Sequence, residues 1–401
     1  MKQFLRSLVT IVTSVTLLVT PAFTTPTLAS GTADGFLKEL WRDAHRMGVG
    51  RQTFNAAFRD YRLLPEVERQ SRSQPEMQQT VGDYVDKRVL PRVEPGRAQL
   101  AELSTMLASI ERRYGVPAEI LVSIWGIETN FGRFQGGNNV VHALATLSQR
   151  GRRTDYFRKE LLTALKILEQ GHIAPDRMVG SWAGAMGHTQ FMPSSYVAFA
   201  QDFDGDGRKD IWQSRADALA SAAHYLQQNG WRRGETWGYE VTLPKGFDYA
   251  LAQSEERTIG RWRELGIDRV AGRAFPRPGD EATLYLPAGR NGPAFLLLRS
   301  FKVIKRYNNS NSYALAVGHL ADRIAGGDGF IRPWPQDRQL TRSQSIDLQR
   351  RLTARGHDIG EATGIIGPKT RRAITSLQSQ YGLPADGVPD GKLLAILGVN
   401  L

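Results

Sequence analysis

Residues Pro117 to Gly132 read PAEILVSIWGIETNFG, and the reading of this stretch decides the rest. Pro117 suits the first turn of a helix, where its missing N–H leaves no hydrogen bond unmade. On that helix Leu121, Ile124 and Trp125 lie seven, four and three residues before Glu128, on the same face. Glu128 therefore projects from an apolar stripe, close to where Thr129-Asn130-Phe131-Gly132 ends the helix. Desolvation disfavours a carboxylate, and so does the negative end of the helix dipole. Both favour a neutral acid, the state that a general acid needs to protonate a leaving oxygen. Spacing alone also admits a Glu that faces solvent at a helix end or pairs with Arg133.

The chain around this segment has 401 residues, enough for two or three domains at roughly 150 residues each. With 41% apolar and 23% charged residues it is neither disordered, collagen-like nor a polytopic membrane protein. Its net charge of +12 points to a polyanionic partner: nucleic acid, lipid headgroups or acidic polysaccharide. Cysteine is absent, so disulfides, zinc-thiolate sites and thiol catalysis are excluded.

Residues 1–29 read as a secretory signal. Lys2 and Arg6 form a basic start, Leu8 to Val19 an apolar run broken by Pro21, and Thr27-Leu28-Ala29 a small-x-small cleavage site. The apolar run is shorter than the roughly 20 residues of a membrane span, the alternative being an uncleaved N-terminal anchor. No cysteine near the cut can carry a lipid. The expectation is a periplasmic protein, not a lipoprotein, with no stable membrane anchor. Export argues against nucleic acid as the partner and leaves the cell wall or the lipid surfaces beside it.

From about 32 to 235 the pattern is mostly helical. Arg97 to Tyr114 carries Leu100, Leu103, Leu107 and Ile110 at helical spacing before Gly115. Asp155 to Gln170 and Ala216 to Gln228 are two further helices, closed by Gly171 and Asn229-Gly230. Tyr239 to Leu243, Thr283 to Leu286 and Phe295 to Ile304 read as strands, and helix returns from Ser312 to Ile324. The fold class is α+β, mostly α, with a small β insertion before the last helix of a domain at 33–330. Residues 331–341 look like a linker, and 342–400 form a small module with three short helical patterns around Leu348 and Leu352, Ile374 and Leu377, and Leu393 to Leu397.

Three blocks in order carry a resemblance: Trp125 to Gly132 (WGIETNFG), Gly180 to Tyr196 (GSWAGAMGHTQFMPSSY) and Arg306 to Tyr313 (RYNNSNSY). They resemble the lytic murein transglycosylases of the membrane-bound lytic transglycosylase B family. This implies a lysozyme-like catalytic domain. The family cleaves the β-1,4 bond between N-acetylmuramic acid and N-acetylglucosamine of peptidoglycan without water, because the muramic acid's own carbon-6 hydroxyl attacks and leaves a 1,6-anhydro ring. By that resemblance Glu128 is the catalytic acid and then base. Ser181 and Gln190 orient it and the sugar substituents, Phe191 and Met192 line the groove floor, and Tyr307, Asn308 and Tyr313 close the groove. Tyr84 is a further substrate-binding candidate in less distinctive surroundings, and plain core packing is the alternative for Phe191, Met192 and Tyr84. His188 stands where the family has an aromatic or small residue and receives no role.

Asp202 to Asp210 (DFDGDGRKD) fits the start of an EF-hand loop, with side-chain oxygens from Asp202, Asp204, Asp206 and Asp210 and the backbone carbonyl of Arg208. Position 12 is Gln213, not the usual Glu, and Asp217 at the start of the next helix is the substitute ligand. The site would hold a structural Ca²⁺; the chemistry itself requires no cofactor. A solvated acidic turn is the alternative.

The C-terminal residues resemble the peptidoglycan-binding-like domain 1 family through Leu348 to Leu352 (LQRRL), Gly364 to Thr370 (GIIGPKT) and Gly382 to Gly387 (GLPADG), with Thr363 where that family has Asp. The resemblance implies a module that holds the enzyme on the wall. The expected partner is the glycan strand of peptidoglycan, met by a monomer. A hydrolytic muramidase needs a second carboxylate near Glu128, and Glu119, nine residues back, lies on another face. A non-catalytic wall-binding protein would need only the tail and the charge. No Walker loop, GxSxG elbow or HExxH string occurs.

Overall fold

The helix Ala118–Thr129 runs through the middle of a helical body, and ten of its residues are buried. Leu121, Ile124 and Trp125 are at most 1% exposed, as the stripe requires. The other faces are covered too, because helices Asn311–Ile324, Val93–Glu102, Arg215–Gln228 and Ser104–Tyr114 pack around it. Ser123 resolves its burial by donating to the carbonyl of Val317 at 2.7 Å. This computed structural model describes residues 30–72, 79–252, 256–335 and 340–400. The signal assigned to 1–29 lies outside the described residues, as do 336–339 of the assigned linker.

The segment Arg97 to Tyr114, expected as one helix, is two: Val93–Glu102 and Ser104–Tyr114. Leu103 leaves helical dihedrals at φ −102°, ψ 14°, and the bend keeps Leu100, Leu103 and Leu107 against one core. A second layer is built on the hairpin of helices Val140–Arg150 and Thr154–Glu169. Leu161 and Leu165 of that hairpin join Leu40, Val141, Met186, Phe191 and Tyr196 in a separate cluster.

The β insertion is a five-stranded antiparallel sheet in the order Arg257–Thr258, Glu281–Tyr285, Ala294–Leu297, Gly238–Thr242, Asp268–Arg269. Leu296 faces Tyr239 on one side and Leu284 on the other, and Trp262 completes the core beneath. The strand expected to continue to Ile304 ends at Leu297, and Arg299–Tyr307 is a helix. Glu235 decides the switch. Its buried carboxylate accepts from both the amide (2.9 Å) and hydroxyl (2.6 Å) of Ser300, satisfying the first turn of the helix.

The three expected tail helices are Arg342–Ala354, Pro368–Gln380 and Gly391–Leu397, around Leu348, Leu352, Ile374, Leu377, Leu393 and Leu397. Thr341 and Gln344 cap the first reciprocally. The chain leading to them lies on the helical body. Phe330 stacks on His319 with ring centroids 3.7 Å apart, and the amides of Ile331 and Arg332 both donate at 2.9 Å to Glu240. The tail module touches the same body through the carboxylate of Asp386, 7% exposed, which accepts from the amide of Arg290 at 3.0 Å. Arg371 adds a bond to the carbonyl of Pro287 at 3.1 Å, and Asp390 faces Arg290 at 3.6 Å. Asp386→Ala should free the module: hydrogen exchange at 287–291 should rise while the stability of the helical body stays within about 1 kcal/mol of the parent. Unchanged exchange would reject the docking.

Candidate active site

The helix carrying Glu128 stops abruptly. Asn130, Phe131 and Gly132 take positive φ in succession (51°, 60° and 80°), which reverses the chain in one turn. The Phe131 ring folds back edge-on to Trp125 at 5.7 Å and covers Gly126, where a Cβ would meet that ring at 2.8 Å. Gly132 is equally obligatory, since its Cβ would lie 2.3 Å from the His188 ring.

His188 joins this helix end to the block Gly180 to Tyr196. Its Nδ1 accepts from the Trp125 indole N–H at 3.0 Å, and its carbonyl accepts from the Thr129 hydroxyl at 2.7 Å. Glu128 lies between these two tied residues. Burial pushes the His188 imidazole down to about 4, so it is neutral and free to accept. The sequence reading gave His188 no role; the one available signal was its departure from the family pattern inside a block that otherwise conforms.

The third block supplies two phenols. Ser310 caps helix Asn311–Ile324 by accepting from the amide of Tyr313, which fixes Tyr313 in the first turn. Its hydroxyl donates to Glu128 Oε1 at 2.6 Å. Burial, then the charge that Glu128 carries when ionised, holds the Tyr313 phenol well above its ordinary value, so it keeps its proton and remains a donor. Tyr307, at the end of helix Arg299–Tyr307, donates to the carbonyl of Thr189 at 2.6 Å and is raised by the same two causes. Tyr84, on helix Val81–Val89, packs against the core that holds Trp125 and adds to the field on Tyr313.

The other expected residues sit around this centre with different contacts. Ser181 accepts from the amide of Ala185 at 3.0 Å and closes the 181–185 turn. Gln190 takes φ 54° at a tight turn, and its amide donates to the carbonyls of Gln135 (3.1 Å) and Gly187 (2.9 Å). Phe191 is corrected from the groove floor to the layer behind it. It is 2% exposed because its ring packs on Tyr307 at 5.8 Å and on Tyr225 at 5.9 Å. Met192 is half-buried beside it, and Asn308 is exposed at the end of its helix. Tyr225, which donates to the carbonyl of Arg306 at 2.7 Å and lies 5.0 Å from the Tyr307 ring, was not legible because its helix carries an ordinary apolar pattern.

In the acidic loop, Asp202, Asp204 and Asp217 offer carboxylate oxygens within 4.8 Å of one another. Asp217 is fully buried and accepts from the amides of Phe203 and Asp210, both at 2.8 Å. Burial still raises its carboxyl above the usual range, helped by the charge of Asp204. Asp206 accepts from the amide of Arg208 at 2.8 Å, and Asp210 from those of Trp212 (3.0 Å) and Gln213 (2.9 Å).

The depressed value of His188 gives a sign to its linkage. Unfolded chain takes up the proton near 6.5 and folded protein only near 4, so His188 stabilises the fold above 6.5 and this contribution is lost as pH falls toward 4. Denaturant melts should show the stability gap between wild type and His188→Gln shrinking by roughly 3 kcal/mol between pH 7 and pH 4. A gap that does not change with pH would place the imidazole in water.

Residues 32–322 match the transglycosylase SLT domain, and residues 341–397 match a peptidoglycan binding domain. Membrane-bound lytic murein transglycosylase B of Escherichia coli (strain K12) is 38% identical over 220 residues, covering 53% of this chain and 58% of that protein. SltB3 from Pseudomonas aeruginosa, solved in complex with NAG-anhNAM-pentapeptide, superposes with a TM-score of 0.87 at 46% identity over 91% of this chain and 99% of its own. The Escherichia coli lytic transglycosylase Slt35 in complex with calcium gives a TM-score of 0.61 at 32% identity, over 73% of this chain and 92% of its own. The chain belongs to the transglycosylase SLT domain family, with a peptidoglycan binding domain at its C-terminal side.

Proposed function

We propose that the protein is a peptidoglycan lytic transglycosylase that cuts the β-1,4 bond between N-acetylmuramic acid and N-acetylglucosamine and leaves a 1,6-anhydro end. Glu128 gives its proton to the departing glycosidic oxygen as the bond to the anomeric carbon breaks. As carboxylate, it then takes the proton of the muramic acid's carbon-6 hydroxyl while that oxygen bonds to the same carbon. The observation that carries this reading is the 2.6 Å bond from Tyr313, a donor that keeps its own proton and so steadies Glu128 once it becomes anionic. The nucleophile is part of the substrate, held close by the sugar ring, so one carboxyl group does the work for which hydrolysis needs two. The substrate's acetamido group would share the positive charge at the anomeric carbon. Ser181, Gln190, Met192, Tyr307, Asn308 and Tyr84 would meet the sugars, with Phe191 and Tyr225 as backing.

Mass spectrometry of glycan digested by the protein tests this. Anhydro ends are expected; ends heavier by one water mean hydrolysis and reject the proposal. Glu128→Gln should lower turnover by roughly 10²-fold or more while leaving wall binding intact.

Asp202, Asp204 and Asp217, with the carbonyl of Arg208, would hold a Ca²⁺ that neutralises their crowded carboxylates and ties the loop to helix Arg215–Gln228. The raised carboxyl of Asp217 is the strain such an ion would relieve. Calcium at about a hundred times its dissociation constant should add about 2.7 kcal/mol to stability. Asp202→Ala with Asp204→Ala should erase that gain, and a melting temperature indifferent to calcium rejects the site. Among the described residues no helix is long and apolar enough to cross a membrane. With the signal-like start at 1–29, the protein would work in the periplasm as a monomer on glycan strands, held to the wall by its tail.

A further inference from the structure

Helix Arg299–Tyr307 has two working faces. One carries Tyr307 into the aromatic cluster beside Glu128. The adjoining one, with Arg299, Lys302 and Arg306, walls a cleft of about 310 Å³ where the helical body meets the sheet. Arg299 donates to the carbonyl of Gly230 at 3.2 Å and Arg306 to that of Asn229 at 3.2 Å. Each bond uses a single N–H of a five-donor guanidinium and fixes its plane at the cleft wall. The ion pairs of the cleft are Lys302 with Glu256 and, at 4.0 Å, Arg232 with Glu235; among the described residues neither Arg299 nor Arg306 takes part in one. Arg232 lies 4.0 Å from Glu235 Oε1, beyond hydrogen-bond reach, and so is weakly matched. Across from the arginines, Glu256 and Glu281 line the sheet side.

We propose that this cleft binds the peptide stem of peptidoglycan, its carboxylates on Arg232, Arg299 and Arg306 and the ammonium group of its diamino acid toward Glu281. Planar guanidinium forks match carboxylates two bonds at a time. A phosphate would suit the arginines alone, but Glu256 and Glu281 repel a multiply charged anion and attract a zwitterion. The ligand class rests on the substrate given under Proposed function; the cleft and its charges do not. Because the helix that walls the cleft also carries Tyr307, the stem would report to the groove which sugar carries a peptide.

Calorimetric titration of the full protein with a sugar-free stem tetrapeptide tests this without any cleavage step. The tetrapeptide should bind, and its carboxyl-amidated form should bind at least roughly tenfold more weakly. Arg232→Glu, at a side chain 54% exposed, should keep its melting temperature and lose peptide affinity by a similar factor. The same variant should cut peptide-free glycan like the parent while its KM for peptide-bearing glycan rises and kcat holds. No binding by the parent, equal binding by Arg232→Glu, or inorganic phosphate binding more tightly than the peptide would each overturn the proposal. Failure to cut either glycan, with peptide binding intact, would instead count against the transglycosylase reading.

Discussion

The centre depends on a neutral imidazole between two chain segments that are distant in sequence. Trp125 and Thr129 both bond to His188, one through its ring and one through its carbonyl, and Glu128 lies between them on the helix. A protonated His188 could not accept the indole N–H, so the low dielectric that keeps it neutral also keeps the joint closed. Rotation of the helix by even part of a turn would break both bonds and carry Glu128 away from Tyr313. The Gly-rich block then has a mechanical meaning: Gly132 gives the ring room, and the turn at 187–190 aims it.

Polar caps do comparable work elsewhere. Glu160, 4% exposed, accepts from the amide and hydroxyl of Ser194 and so begins helix Pro193–Phe199 right after Met192. Glu235 begins helix Arg299–Tyr307 through Ser300 in the same way. Two buried carboxylates thus decide where two elements start, each accepting two short bonds from the serine at the start of the helix it begins.

Much of this was open to sequence reasoning where periodicity and side-chain chemistry agree. The Glu128 helix, the helix from Thr154, and the three tail helices follow from apolar spacing and their caps. The stretch Phe295 to Ile304 was misread because its apolar and β-branched residues suit a strand, whereas the determinant of the helix, Glu235, is 65 residues away. Phe191 was misplaced for a related reason. A motif names a side chain, but its neighbours decide whether the ring faces water or Tyr225. In the acidic loop, spacing named Asp217 as the substitute for the missing Glu, and the fold sets its carboxylate beside those of Asp202 and Asp204; what spacing could not say is that Asp210 accepts from the amides of its own turn.

The backward-turning run Asn130-Phe131-Gly132 also limits how such a chain can vary. Ordinary side chains resist that conformation, and β-branched ones resist it most. Homologous chains can therefore lengthen the loops beyond Gly132, but the helix itself has nowhere to grow. Its terminus acts as a stop of fixed depth, and diversity in what the crevice accommodates must come from the walls around it.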